Sequence, residues 1–362
     1  MAVTGNKGEW SEMYTLFKLL GEGVVYAGDE NLNKIQELFY PIVMILRQEK
    51  EGDYNYCLDD KSVVIQTSER EELLRIPASV FLVQAEKLLN AIADGKGAFT
   101  VPHVEEFMQQ IYCHSLKASS SSKADIRIVL HDRRTRLNSE MGFSIKSQLG
   151  GDSTLLNAGK TTNFNYKVVG AEFTDEEIDA INALNSSRSK VIDRVSAIKS
   201  KGARLVFDKV DNAIFRNNLT MLDGDLAKII ACLLLEQLNT GYNKLKDLVN
   251  VLTQTNPLEY DLEQNSPFYA YKVKHLLTSV ALGMMPATAW SGKIDANGGY
   301  LVVKEDGEIL CYHFYDRNRF EDYLFANAYL ERASTTRHNY ALLFREDDSS
   351  LSFKLNFQVR LK

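Results

Sequence analysis

Two short segments carry side chains of the kinds that hydrolysis of a phosphate ester requires. Residues 125–131 read DIRIVLH, and residues 142–148 read GFSIKSQ. Strand alternation puts Asp125 and Arg127 on one face of the first segment and turns Ile126, Ile128 and Leu130 to the other. In the second, Ser144, Lys146 and Gln148 share a face, opposite Phe143 and Ile145. An aspartate on one strand facing a lysine on the next is the minimum set for metal-assisted attack on a phosphodiester. Carboxylates offer hard oxygen ligands to an ion such as Mg²⁺, while a lysine orients or deprotonates water and offsets charge on phosphorus. On pattern alone, the commoner reading of such a pair is the solvated side of a sheet.

A second chemistry lies just downstream, where AGKTT at 158–162 sounds like the end of a phosphate-cradling loop. That loop needs a glycine five positions before the Gly of Gly-Lys-Thr, so that backbone amides can wrap the phosphates. Thr154 stands there, and Gly150 and Gly151 lie too far upstream. An apolar run ending in acid, Leu205-Val206-Phe207-Asp208, is common by chance. A nucleotide hydrolase is therefore the weakest reading.

Stepping outward, the catalytic strands need a sheet and helices to hold them. Trp10, Met13, Tyr14, Phe17 and Leu20 recur at helical spacing, predicting a helix over 9–20 closed by Gly21. A helix kinked at Pro41 is expected over 32–47, and a hairpin joins strands 54–58 and 62–66. Helical patterns follow at 78–94 and 103–113, with strands at 125–131, 143–149 and 163–169. Helices at about 174–184 and 188–201 precede a strand at 204–207 and a helical block over 209–283. The C-terminal part is β-rich, with strands at 299–303, 308–314, 340–345 and 351–361 around a helix near 317–331.

The composition is that of an ordinary globular protein, 45% apolar and 25% charged over 362 residues. The longest apolar run, IIACLLLEQL at 229–238, is half of what a membrane span needs. The start of the chain lacks the layout of a signal peptide, so a cytoplasmic protein is expected. Cys57, Cys113, Cys232 and Cys311 are scattered without a CxxC pair, which predicts free thiols rather than zinc ligands. The histidines His103, His114, His131, His275 and His313 show no metal-ligand spacing. A net charge of −6 argues against indiscriminate coating of nucleic acid but permits local DNA contacts.

Four stretches, KGEWSEMYTLFKLL, YAGDENLNKI, GFSIKSQLGGDSTLLNAG and ASTTRHNYALLF with FKLNFQVRL, together resemble HpaII-type type II restriction endonucleases. These enzymes belong to the PD-(D/E)xK nuclease superfamily, whose α/β (α+β) core is a mixed central sheet flanked by helices. The resemblance implies a nuclease core over 1–210 with a helical insert at about 30–115. It assigns 211–362, helical and then β-rich, to DNA recognition. It implies that Asp125 binds metal, that Lys146 is catalytic, and that Glu12, preferred to Glu9, faces the metal from the first helix. The superfamily expects an acid two residues before the lysine, where this chain has Ser144. A hydroxyl or water then replaces that ligand, or Glu140 or Glu12 reaches in. Gln148, on the same face, is a candidate to place the water.

The implied function is Mg²⁺-dependent, sequence-specific cleavage of double-stranded DNA at a short site such as CCGG. It would leave 5′-phosphate ends, within a restriction–modification system that pairs the enzyme with a DNA methyltransferase. A palindromic site favours a homodimer, while a monomer nicking each strand in turn stays open. Ser334, Thr335, Arg337 and His338 are candidates for a base-reading loop. Lys160, Thr161 and Thr162, and the basic cluster Arg133, Arg134 and Arg136, are candidates for phosphate contacts. A nuclease fold that holds DNA without cutting it is the alternative.

Overall fold

The computed structural model describes residues 3–117, 124–133, 136–185, 189–294 and 296–362. The chain begins with α1 (Lys7–Glu22), β1 (Val24–Gly28), β2 (Lys34–Gln48), β3 (Asp53–Asp59), β4 (Ser62–Thr67) and β5 (Glu72–Pro77). Then come α2 (Ala78–Asp94), α3 (Pro102–Gln110), β6 (Ile126–Asp132), β7 (Leu137–Ser147), β8 (Ser153–Leu156) and β9 (Asn163–Val169). Helices α4 (Asp175–Ala183) and α5 (Lys190–Ser200) lead to β10 (Arg204–Val210) and to α6 (Ala213–Leu222), α7 (Leu226–Thr240), α8 (Leu245–Thr255) and α9 (Phe268–Leu282). The chain closes with β11 (Gly299–Val303), β12 (Ile309–His313), α10 (Arg317–Asn327) and β13 (Ala328–Leu330). After these come α11 (Thr335–His338), β14 (Leu343–Arg345), β15 (Leu351–Asn356) and β16 (Val359–Leu361).

Nine strands form one mixed sheet in the order β1-β12-β11-β7-β6-β2-β3-β4-β5. β11 runs parallel to β7, and β1 parallel to β12; the other pairs are antiparallel. The long β2 also pairs with β1 through its first half, so six strands close a circuit of pairings. Two smaller sheets follow, β10-β9-β15-β14 and β13-β16-β8.

Two hydrophobic cores meet at β11 and β12. Leu301, Val303, Ile309 and Cys311 face the core built with α1, α2 and α3. Tyr300, Val302, Leu310 and Tyr312, the alternate residues, face the core of the C-terminal helices and smaller sheets. Burial on both faces explains why these strands read as unbroken apolar runs. Residues 299–313 supply two strands of the nine-stranded sheet.

Helix α1 starts at a capping box: Asn6 Oδ1 accepts from the Glu9 N–H at 3.1 Å, and Glu9 Oε2 from the Asn6 N–H at 2.9 Å. It runs past Gly21, which predicted its end, to a left-handed cap at Gly23 with φ 68°. Gly21 is there for packing, since a Cβ would lie 2.5 Å from Leu82 of α2. The segment expected as a kinked helix is instead β2. Pro41, opposite Val24, sits where the pairing passes from β1 to β6, and the β2–β6 register slips between Ile42 and Met44. An irregularity is where a strand tolerates a residue that cannot donate to the ladder. The insert at 30–115 is therefore half sheet: β2 to β5 precede its two helices.

Candidate active site

Asp125 stands just ahead of β6, where that strand parts from β7. Its N–H donates to the Phe143 carbonyl at 2.9 Å, and its Oδ2 accepts from the Ile145 N–H at 2.7 Å. The carboxylate thus takes the place of the next rung of the ladder, which fixes it at the mouth of the fork. On β7, Ser144 lies opposite Tyr300 of β11, and Lys146 opposite Val302. The Lys146 ammonium lies 4.9 Å from the centre of the Tyr300 ring, a fully buried aromatic. The strand faces read from alternation hold: Phe143 enters the α1 core, while Ser144 and Lys146 turn the other way.

Glu12 reaches the same place from α1. Its neighbour Ser11, fully buried, lies Oγ to Oγ 2.8 Å from Ser147, one residue beyond Lys146. That contact pins the helix to the strand that carries the lysine. Glu9 is committed to the helix cap, which leaves Glu12 as the acid aimed inward. Neither Ser11 nor Ser147 stood out in the sequence, because their pairing spans a distance of 136 residues.

The electrostatics tie the three groups together. Burial pushes the Glu12 carboxyl up to about 8, and the Asp125 charge adds to the rise while Lys117 and Arg47 oppose it. Burial also raises Asp125, against the Ile145 N–H, Lys146 and Lys117. Lys146 is lowered by burial, against the pull of Asp125 and Glu12. Two half-buried carboxylates that disfavour each other's charge, beside a lysine pushed toward neutrality, form an oxygen donor set that a hard divalent ion would relieve. Among the described residues no three His, Cys, Asp or Glu side chains form a cage. Two carboxylates suffice for an ion that keeps most of its waters.

Glu12 lines a polar cleft of about 520 Å³ together with Lys117, Ile145, Ser147, Thr154, Arg360 and others. Gly150 and Gly151 form part of its wall. A Cβ on Gly150 would sit 3.1 Å from the Lys7 Cβ, so this turn approaches the start of α1 closely and cradles no phosphate loop.

A family model described as HpaII restriction endonuclease matches residues 6–361. The type II restriction enzyme HpaII of Haemophilus parainfluenzae is 44% identical over 359 residues, 99% of this chain and 98% of the relative. The chain belongs to the HpaII restriction endonuclease family. No solved structure matches it. As a member of this restriction endonuclease family it is a type II site-specific deoxyribonuclease of a restriction–modification system. Such enzymes generally use a divalent metal ion.

The other expected residues of this HpaII-family enzyme fall into three groups. Glu140 is not at the fork: it is ion-paired with Arg127 across the strands, opposite Val129. Six residues separate it from Lys146, on the order of 20 Å along a strand. Gln148 is near it, and its N–H donates to the Val303 carbonyl at 2.9 Å. At the far end of the same strands, Arg133 lies 4.6 Å from the Phe39 ring centre and Arg136 closes the turn, while Arg134 lies outside the described residues.

The third group does come together. Lys160–Thr162 is a single 3-10 turn that runs into strand β9 and not into a helix, which ends the nucleotide-loop reading. Lys160 is exposed and Thr161 half-buried; Thr162 is fully buried, and its Oγ donates to the Gly159 carbonyl at 3.1 Å. Asn163 Nδ2 donates to the His338 carbonyl at 2.9 Å, tying this turn to α11. Ser334 and Arg337 are exposed there, His338 is half-buried, and Thr335 is buried. The four cysteines are free, and no helix among the described residues is long and apolar enough to cross a membrane.

Proposed function

We propose that this endonuclease hydrolyses double-stranded DNA with Mg²⁺ held by Glu12 and Asp125, and with Lys146 serving the attacking water. The observation that carries this reading is the convergence of two half-buried carboxylates and a half-buried lysine from α1, the start of β6 and β7. When bound, the ion supplies a Lewis acid and acidifies a coordinated water. Lys146, drawn toward neutrality by burial, takes a proton from the water or orients it, and offsets charge at phosphorus. Water attacks in line, so the bond to the 3′-oxygen breaks and the products end in 5′-phosphate and 3′-hydroxyl. Ser144 and Gln148 help place the water.

For recognition, Arg337 and Ser334 read base edges, with His338 and Thr335 shaping their helix; Lys160 and Thr161 hold backbone phosphates. Arg133, at the far end of the same strands, would grip the duplex away from the cut, and Arg134, outside the described residues, stays a candidate phosphate contact from the sequence. The site is a short palindrome of the CCGG kind, read by a homodimer in the cytoplasm and protected by a partner methyltransferase. Digestion of a sequenced plasmid with Mg²⁺, followed by mapping of the ends, tests this. Discrete cuts at one short sequence with 5′-phosphates are expected; binding without cleavage would favour the DNA-holding alternative instead.

A further inference from the structure

We propose that Lys117 is a second cation of the catalytic centre, contacting the DNA phosphate at the scissile position, and that the buried Arg47–Glu49–Ser115 cluster exists to hold it there. This rests on the nuclease reading above. Lys117 lies between α3 and β6, and nothing in its local sequence marks it. In the fold it lines the same cleft as Glu12. Its ammonium lies 3.3 Å from Glu9 Oε1, with 60% of the side chain exposed. Glu9 already spends its other oxygen on the Asn6 N–H, so Lys117 has a weak, solvent-screened partner that a phosphate oxygen can replace. Its charge acts on both Glu12 and Asp125, which supports its place at the centre.

The segment that presents Lys117 is fastened from below by an ion pair. Arg47 Nε and Glu49 Oε1 are 2.5 Å apart, their side chains 7% and 2% exposed. Arg47 also donates to the Ser115 carbonyl, and the Ser115 hydroxyl lies 2.8 Å from Glu49 Oε2 and 2.7 Å from the Lys117 carbonyl. A buried ion pair is weak support for stability, because desolvation opposes its attraction. Here it ends on Ser115, two residues before Lys117, and through the Ser115 hydroxyl on the Lys117 carbonyl, which gives it a positioning role. The hydrolytic step is unchanged: oxygen joins phosphorus from the water side and leaves on the 3′ side. Lys117 only offsets the charge that builds on the phosphate, adding to what Lys146 supplies.

The test compares single-turnover cleavage of a cognate duplex, and its binding in Ca²⁺ across a salt series, for wild type, the variants Lys117→Ala, Lys117→Arg, Ser115→Ala and Lys146→Ala, and the double variant Ser115→Ala with Lys117→Ala. Lys117→Ala is expected to slow cleavage by about a hundredfold and to lower the salt slope of binding by about one. Lys117→Arg should recover part of the rate. Ser115→Ala should slow wild type yet add nothing to Lys117→Ala, since both act through one group. If Lys117→Ala cleaves at the wild-type rate while Lys146→Ala is dead, the proposal is overturned and the nuclease site stands. If both variants cleave normally, the site reading itself has failed. Fully additive losses for Ser115→Ala and Lys117→Ala would remove the positioning role of the cluster.

Discussion

Among single residues, strand alternation shows which side chains share a face with Lys146, but it is resemblance that singles out Asp125 and Lys146 as site candidates. Glu12 was preferred to Glu9 only through resemblance, and the capping box now supplies a physical reason. Lys117 and Ser11 were out of reach, since each acts through a partner distant in sequence or in another element. Glu140 was a fair candidate by distance along the chain, but its strand carries it away from the fork toward Arg127. The raised Glu12 carboxyl has a consequence for stability. Its ordinary value is 4.5, and in the fold it is pushed up to about 8. Between those values the unfolded chain releases a proton that the folded chain retains. Metal-free protein therefore loses stability as pH rises through this window, by on the order of a few kcal/mol at most. Glu12→Gln should melt higher than wild type above pH 8 without metal and should match it below about pH 4.5. Mg²⁺ should raise the melting temperature of wild type at pH 8 and leave Glu12→Gln almost unmoved. Identical pH profiles for the two proteins, measured by thermal melts, would contradict a half-buried, metal-facing Glu12.

At the level of elements, the reading succeeded wherever periodicity was unambiguous, as for α1, α2, β9 and β11. It failed at β2, whose apolar residues Ile35, Leu38, Phe39 and Ile42 fit helical spacing while the β-branched and aromatic run from Phe39 to Ile45 suits a strand. Pro41, expected as a helix kink, marks the change of strand partner. β1 was missed because it is five residues long and its partner β12 lies near the other end of the chain. The recognition elements make a sharper case. α11 has only four residues, yet Asn163 holds its last carbonyl beside the turn that carries Lys160. If α11 reads bases, Arg337→Ala should weaken cognate binding by about 1–3 kcal/mol more than binding to random duplex. Equal losses on both duplexes, measured by fluorescence anisotropy at fixed salt, would make Arg337 a phosphate contact.

For the whole molecule, the sequence suggested a nuclease half and a recognition half. The nine-stranded sheet draws strands from both parts of the chain, with β11 and β12 standing between β1 and β7 and sharing their faces between two cores. Long-range parallel pairing of this kind leaves no local signal, so only resemblance pointed to the mixed sheet. Its effect is that Tyr300 and Val302 back the strand that holds Ser144 and Lys146, so the chemistry rests on a wall buried from both sides. The central claim is that the β6–β7 fork is where DNA is cut. It is tested most directly by the Mg²⁺-dependent cleavage rates of Asp125→Ala and Lys146→Ala, with cognate binding and melting temperature measured on the same samples. Both variants are expected to fold and bind DNA while cleavage falls by about a hundredfold or more. Wild-type cleavage by either one would place the active site elsewhere.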